Sequence, residues 1–127
     1  MVPLPPEFLC ALDGHDELLA TSREAHKLGT VRMWFVVGPP GVVYLFSYAF
    51  STKVMRWRSD PWIRLRVPGT GVSVEAVVSF VRVDEVEPVA RLITERWGMW
   101  GATTIEGLRR MLKDGTHALL RVEGSLK

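Results

Sequence analysis

The sequence predicts a single mainly β domain of the α+β class, a small antiparallel barrel with flanking helices. Its 127 residues fit one domain, and a hydrophobic content of 47% is enough to build one core. Several short runs rich in β-branched and aromatic residues are bounded by turn residues, which is typical of antiparallel hairpins. Two amphipathic helical patterns follow, and a last strand is predicted at 116–122.

The first elements are a short helix and three strands. Pro6 suits the first turn of a helix, and Asp13 with Gly14 ends the pattern. β-Branched and aromatic residues then predict three strands, at 18–22, 31–37 and 42–47. The polar stretch 23–29 is predicted to connect the first two of them.

One stretch of the sequence has the length of a membrane span. Residues 33–52 carry no formal charge, and about 20 apolar residues are what a spanning helix needs. The stretch is interrupted by Gly38-Pro39-Pro40-Gly41, which breaks a helix and suits a connection between strands. We therefore expect a buried hairpin here and no membrane partner.

The middle of the chain predicts a helix and two further strands. Residues 51–59 form a helix pattern that ends before Pro61, because the residue before proline is disfavoured in a helix. Residues 62–67 alternate apolar and basic, as in a half-exposed strand. The next strand is predicted at 72–83, and its part 77–81 is apolar on both faces. Burial against a second subunit would explain this, as would a barrel interior covered from outside by a helix.

Two amphipathic helices are predicted after these strands. In the first, Val89, Ile93 and Trp97 recur at helical spacing. In the second, Thr103 and Glu106 have the spacing of a capping box. Both helices have one apolar face, so we expect them to pack on the barrel.

The charge balance indicates no particular macromolecular partner. Lys and Arg total 16 against 14 acidic residues, and a net charge of +2 is too small to predict nucleic-acid or membrane binding. Cations and aromatics do interleave between Lys53 and Arg66, as on single-strand nucleic-acid platforms, but the remainder of the chain has no matching basic stripe. We therefore expect no nucleic-acid partner.

The cysteine content and the first residues of the sequence indicate in which cellular compartment the protein is expected. A single cysteine, Cys10, excludes an intramolecular disulfide and fits a reducing compartment, and we expect it to be a small buried hydrophobe. The first residues lack the basic start and long apolar run of a signal peptide. The expected localisation is therefore cytoplasmic.

The sequence contains no recognisable metal or nucleophile motif. His15, His26 and His117 are far apart and lack ligand spacing, and one cysteine cannot supply a zinc cluster. Capping explains the acidic pairs at turns and helix starts at least as well as acid–base chemistry does. No catalytic residue and no metal ligand is therefore assigned.

The one positive signal is Ser51-Thr52-Lys53, at the passage from a strand into a helix. Free backbone N–H groups at a helix start, a hydroxyl and an ammonium group together favour an anion such as a phosphate. By itself this signal is weak, because a serine cap followed by lysine is common.

Together with two strand motifs, this turn resembles the pyridoxamine 5'-phosphate oxidase-like superfamily of flavin-binding split barrels, which includes deazaflavin-dependent reductases. The similarity covers about 17–82. It rests on Leu19-Ala20-Thr21-Ser22, on Arg32-Met33-Trp34-Phe35-Val36-Val37, and on Ser51-Thr52-Lys53 before a helix that ends at Asp60-Pro61. Thr52 stands where the oxidases have arginine, and the C-terminal substrate signature of true pyridoxamine phosphate oxidases is not evident.

The resemblance implies a homodimeric split barrel that binds FMN or a deazaflavin between subunits. Two electrons would pass to or from a small substrate, whose identity the sequence does not reveal. The cofactor-binding residues it implies are Arg32, Met33, Trp34, Phe35, Phe46, Ser47, Ser51, Thr52 and Lys53. The alternative is a non-enzymatic flavin-binding or cofactor-free barrel that serves as a carrier or structural protein, and the missing arginine at Thr52 favours it.

Overall fold

The computed structural model describes residues 1–96 and 104–125. The described strands are β1 (Glu17–Glu24), β2 (Lys27–Gly38), β3 (Val42–Tyr48), β4 (Trp62–Arg66), β5 (Ser73–Phe80) and β6 (His117–Gly124). The described α-helices are α1 (Pro6–Leu12), α2 (Thr52–Ser59), α3 (Glu87–Arg96) and α4 (Ile105–Lys113), and a 3-10 turn spans Val83–Glu85. The predicted α+β class with an antiparallel barrel is confirmed.

The strands close into one antiparallel barrel in the order β1-β2-β3-β6-β5-β4. The first three strands are joined by hairpins, and β4 pairs with β5 and back with β1. The last strand, β6, lies between β3 and β5 and pairs with both. Closure therefore depends on pairings between strands that are distant in sequence, β1 with β4 and β3 with β6.

The barrel interior is filled by the inward side of each strand and plugged at both ends. Ile63 and Leu65 of β4 are fully buried there, as the alternating pattern predicts. Phe8 of α1 plugs the end next to the β2–β3 turn, where the Leu4 N–H donates to the Gly41 carbonyl at 2.8 Å. Trp57 of α2 plugs the opposite end and is 1% exposed.

A second apolar cluster lies outside the barrel wall. Tyr44 of β3 and Leu119 of β6 face away from the interior and are buried beneath the two late helices. Those helices contribute Ile93 from α3 and Leu108 from α4. The amphipathic patterns thus correctly predict which faces are buried.

The long uncharged stretch is a hairpin, as predicted. β2 and β3 pair from Gly38↔Val42 onward, and the Gly41 N–H closes the turn on the Gly38 carbonyl at 2.9 Å. Gly41 has a φ of 129°, a conformation that side chains other than glycine's rarely adopt. None of the described helices has the length and apolar character needed to cross a membrane.

The predicted connection at 23–29 is wrong in extent. β1 continues to Glu24, β2 begins at Lys27, and the ladder between them includes Glu24↔Lys27. Ala25 makes the turn with a φ of 55°. Polar residues pair here because the backbone ladder does not require apolar side chains on a half-exposed surface.

The strand predicted at 72–83 is shorter in the structure, since β5 ends at Phe80. The chain then enters the 3-10 turn, where the Arg82 N–H donates to the Glu85 Oε1 atom at 3.0 Å. Val77 is 39% exposed in this single chain, so only one face of β5 is covered within it. Val78 is buried in the barrel core and Val81 in the outer cluster beneath the late helices, so only Val77 of the apolar run at 77–81 is left unexplained by burial within the chain.

Two further details differ from the sequence prediction, and two predicted positions are not described. Cys10 is exposed, because it lies on the outer side of α1. The cap of α4 is Thr104, whose Oγ1 accepts from the Gly107 N–H at 2.9 Å. Trp97 and Thr103 lie outside the described residues, so neither the end of the first late helix nor the predicted capping box is seen.

Candidate functional site

The candidate site forms where β2 and β3 separate. Residues 27–34 of β2 pair with β1, whereas only 35–38 pair with β3. The β2–β3 ladder ends at Phe35↔Leu45, although β3 continues to Tyr48. The barrel wall therefore opens between the start of β2 and the end of β3.

A pocket of about 280 Å³ occupies this opening, which we call the strand-gap pocket. Its lining comes from β1, β2, β3 and α2, so four elements converge on one concavity. The lining residues are Glu17, Arg32, Met33, Trp34, Phe46, Ser47 and Lys53.

The pocket has aromatic and apolar walls. Met33 is buried in the barrel core, and Trp34 and Phe46 are half-buried and pack against the outer cluster. Trp34 and Phe46 come from the two strands that separate, so they lie on the two sides of the opening. Such a lining suits a flat, largely apolar ligand with a few polar groups.

Lys53 supplies positive charge to the pocket. Its side chain is half-buried, and this burial lowers the pKa of the ammonium group below its ordinary value. No carboxylate among residues 1–96 and 104–125 lies within ion-pair distance of it. An unpaired cation in a partly desolvated position is stabilised by an anionic ligand.

The start of α2 adds polar groups next to Lys53. Ser51 is the N-cap residue, with φ −66° and ψ 150°, and its side chain makes no capping hydrogen bond. The Ser51 Oγ is buried and has no hydrogen-bond partner in the part of the chain that is described. A helix start with an unused hydroxyl can donate hydrogen bonds to a phosphate.

One wall of the pocket is braced from behind by an aromatic stack. Phe46 stacks on His117, with ring centroids 5.1 Å apart and planes 9° apart. The Tyr48 ring also contacts this imidazole, with ring centroids 4.7 Å apart. The Thr116 Oγ1 is within hydrogen-bond distance of the His117 Nδ1, at 2.9 Å. Burial among these groups lowers the pKa of His117.

The structure brings together six of the nine residues expected to bind a cofactor. They are Arg32, Met33, Trp34, Phe46, Ser47 and Lys53.

The other three expected residues lie near the pocket without lining it. Phe35 is in the barrel core and borders a different concavity with Leu12 and Arg96. Thr52 borders a separate groove with Arg23 and Met55, and Ser51 is the N-cap described above.

One lining residue, Glu17, was not expected from the sequence. It lies opposite Trp34 in the β1–β2 register. The sequence signal would have been that register, but an isolated glutamate before a strand does not by itself indicate a site.

The interleaved cations and aromatics between Lys53 and Arg66 are dispersed over different surfaces. Trp57 is in the core. The guanidinium groups of Arg23 and Arg64 lie 4.8 and 5.2 Å from the centroid of the Trp62 ring. Within the described part of the chain, no group of three metal-binding side chains converges.

Comparison with solved structures relates this fold to the split barrels. An FAD-binding protein from Mesorhizobium loti superposes with a TM-score of 0.68 at 11% identity, over 96% of this chain and 91% of that chain. HutZ, the heme storage protein from Vibrio cholerae, gives 0.66 at 16% identity, over 99% and 93%. A candidate pyridoxamine 5'-phosphate oxidase from Listeria innocua gives 0.60 at 14% identity, over 91% and 89%.

These similarities establish the fold. The chain has the architecture of pyridoxamine 5'-phosphate oxidase-like split barrels, as the sequence motifs predict. No protein-family model and no curated protein sequence matches it. Because one of these proteins is described as FAD-binding and another as a heme storage protein, the fold alone does not assign the ligand.

Proposed function

We propose that this protein binds FMN in the strand-gap pocket and acts as an oxidoreductase on a small substrate. The observation that carries the proposal is Lys53, a partly desolvated ammonium group without a described carboxylate partner, at the rim of an aromatic-lined pocket. This combination suits a ligand with a flat ring at one end and a phosphate at the other.

The phosphate would be held at the start of α2. Lys53 supplies charge, Ser51 supplies a hydroxyl without a described partner, and the first turn of the helix supplies N–H groups without a side-chain cap. Each is a hydrogen-bond donor, so the set matches the acceptor oxygens of a phosphate.

The ring would lie between the separated strands. Trp34 and Phe46 provide apolar surface, and Glu17 can accept a hydrogen bond from a ring N–H group. A bound flavin supplies two-electron transfer, and the chain's own part is to hold the ring, orient it and limit its contact with water. This division of labour agrees with the absence of an assigned catalytic acid or base.

We also propose that a second copy of the chain completes the site. The volume of about 280 Å³ falls just below the range of about 300–1,000 Å³ that is usual for pockets enclosing a drug-sized ligand. The outward side of β4 and β5 carries exposed Val77, which lies opposite Trp62 in the ladder and two residues from exposed Glu75. A homodimer that covers this side would explain the apolar residue at Val77.

A deazaflavin would meet the same phosphate-binding groups and is the alternative cofactor. Heme fits the pocket less well, because none of the seven lining residues in the described ranges is a histidine, cysteine or tyrosine, the most frequent axial ligands apart from methionine. The alternative function is a non-enzymatic flavin carrier, which would bind the cofactor without turning over a substrate.

Titrations of the purified protein with FMN, riboflavin and a deazaflavin test the proposal. Fluorescence quenching should show that FMN binds more tightly than riboflavin, since only FMN has the phosphate. Rapid reoxidation of the reduced complex by an added acceptor would indicate an oxidoreductase, and binding without electron transfer to any acceptor would indicate a carrier. Failure of all three flavins to bind would refute the proposal.

Light scattering on the same sample tests the dimer. A dimer at micromolar concentration is expected, and Val77→Glu should shift it toward the monomer because a charge would be buried at the proposed interface. A monomer that binds FMN with full affinity would contradict the shared site.

A further inference from the structure

A second concavity lies behind the strand-gap pocket, on the far side of the Phe46–His117 stack. This groove of about 700 Å³ receives Arg58 from the end of α2, Arg82 from the segment after β5 and Arg109 from α4. We call it the arginine groove. Three guanidinium groups from three separate parts of the chain thus converge on one surface.

The cations of the arginine groove outnumber their partners. Arg82 pairs with Asp84 at 3.3 Å and Arg109 pairs with Glu87 at 2.7 Å. Both carboxylates are largely exposed, and exposed pairs of this kind contribute little and exchange readily. Arg58 has no carboxylate partner within the described ranges, and its guanidinium lies 4.3 Å from the centre of the Phe80 ring. The groove therefore has an excess of positive charge.

The floor of the arginine groove is apolar. Phe80 and Leu112 are half-buried, and Leu119 beneath them is 1% exposed. Arginine side chains above an aromatic and aliphatic floor suit an organic anion, because the anion pairs with guanidinium while its carbon skeleton covers the floor.

The two concavities share a wall. His117 lines the arginine groove, and Phe46, on which it stacks, lines the strand-gap pocket. A ligand in the groove and a ring in the pocket would therefore touch opposite members of one stacked pair.

We propose that the arginine groove binds a small organic anion that carries a carboxylate or a phosphate group, as a ligand separate from the one in the strand-gap pocket. The anion-binding property itself rests only on the groove.

The test measures anion binding without any flavin, in Lys53→Met protein, so that the phosphate-binding end of the strand-gap pocket does not contribute. Benzoate and phenyl phosphate serve as the two probes, and the imidazole NMR signals of His117 report occupancy. At least one probe should bind and shift these signals. Replacing both Arg58 and Arg109 by Gln should weaken binding about ten-fold or more, because charge-assisted hydrogen bonds are lost.

Arg110→Gln is the matched control, since Arg110 is the next residue on α4 and does not line the groove. It should bind the probes as the parent does, and thermal melts should show that all variants fold. The proposal is overturned if neither probe binds, or if the double variant binds as tightly as the control. A failure of FMN to bind wild-type protein would be seen in a separate titration and would refute the proposed function instead.

Discussion

The imidazole of His117 lies flat against the ring of Phe46, with the two planes 9° apart. His117 belongs to β6 and Phe46 to β3, and the Phe46↔Leu119 and Tyr48↔His117 pairs of the ladder keep the rings together. The wall between the two concavities is thus fixed by backbone pairing.

Phe46→Ala should therefore change the environment of His117, the other ring of the stack. Removing the ring exposes the imidazole to water, so the pKa of His117 should rise toward its ordinary value. An NMR titration of the His117 ring protons measures this. Phe50→Ala is the control, because Phe50 is 80% exposed and should leave the titration unchanged. An unaltered His117 titration in Phe46→Ala would show that the stack does not shield the imidazole.

The lowered pKa of His117 has a consequence for stability against acid. The folded protein favours the neutral imidazole, so the unfolded chain binds the proton more readily. The contribution of His117 to the free energy of unfolding is fully present above the ordinary pKa of 6.5 and is lost as the pH falls through the lower pKa of the folded protein. Urea unfolding of the wild type and of His117→Asn over this pH range should show that the free energy of unfolding falls more steeply with acid in the wild type. Parallel curves for the two proteins would contradict it.

Lys53→Met should weaken the binding of FMN and leave the binding of riboflavin nearly unchanged. A hydrogen bond to a charged group contributes roughly 1.5–3 kcal/mol, which corresponds to about a ten- to hundred-fold loss of affinity. Without ligand, the free energy of unfolding should stay equal or rise, since the half-buried ammonium group is no longer desolvated. Fluorescence titration and urea unfolding measure the two effects.

Lys27→Met is the matched control for Lys53, because Lys27 is an exposed lysine that does not line the strand-gap pocket. It should bind both flavins as the wild type does. Equal losses for FMN and riboflavin in Lys53→Met would place Lys53 away from the phosphate.

Most of the fold could be predicted from the sequence, because the hydrophobic periodicity of the strands and helices is visible in it. Ile63 and Leu65 alternate with Arg64 and Arg66, and the first pair is inside the barrel. The polar tip of the β1–β2 hairpin could not be found in this way, since its pairing depends on the backbone and on a positive φ at Ala25.

The site is less predictable than the fold. Local motifs located Lys53 and the β2 residues, but the pocket exists because the β2–β3 ladder stops at Phe35↔Leu45. No local pattern encodes where a ladder ends. Glu17 and His117 matter only through their cross-strand neighbours, and such neighbours are set by register, which a single sequence does not display.

Trp57 offers a test of the barrel plug. Its side chain is 1% exposed, yet its Nε1–H has no hydrogen-bond partner among the described residues. Trp57→Ala should cost about 3–5 kcal/mol of unfolding free energy, because a large cavity is left. Trp57→Phe should cost less than about 1.5 kcal/mol, since loss of some packing is offset by removal of an unsatisfied donor. Denaturant unfolding of both variants measures these losses of unfolding free energy. A loss above about 1.5 kcal/mol for Trp57→Phe would mean that the indole N–H forms a hydrogen bond in the folded protein.

The position of β6 affects how the chain behaves while it is being synthesised. β6 is made after the other five described strands, yet it lies between β3 and β5 and supplies the hydrogen bonds of one edge of each. Until 117–124 has left the ribosome, β3 and β5 present open edges bearing Val43, Leu45 and Val78, which in the finished barrel are buried. Open apolar edges recruit other strands. Nascent chains of this protein are therefore exposed to aggregation until β6 has emerged, and this strand protects them by closing both edges at once.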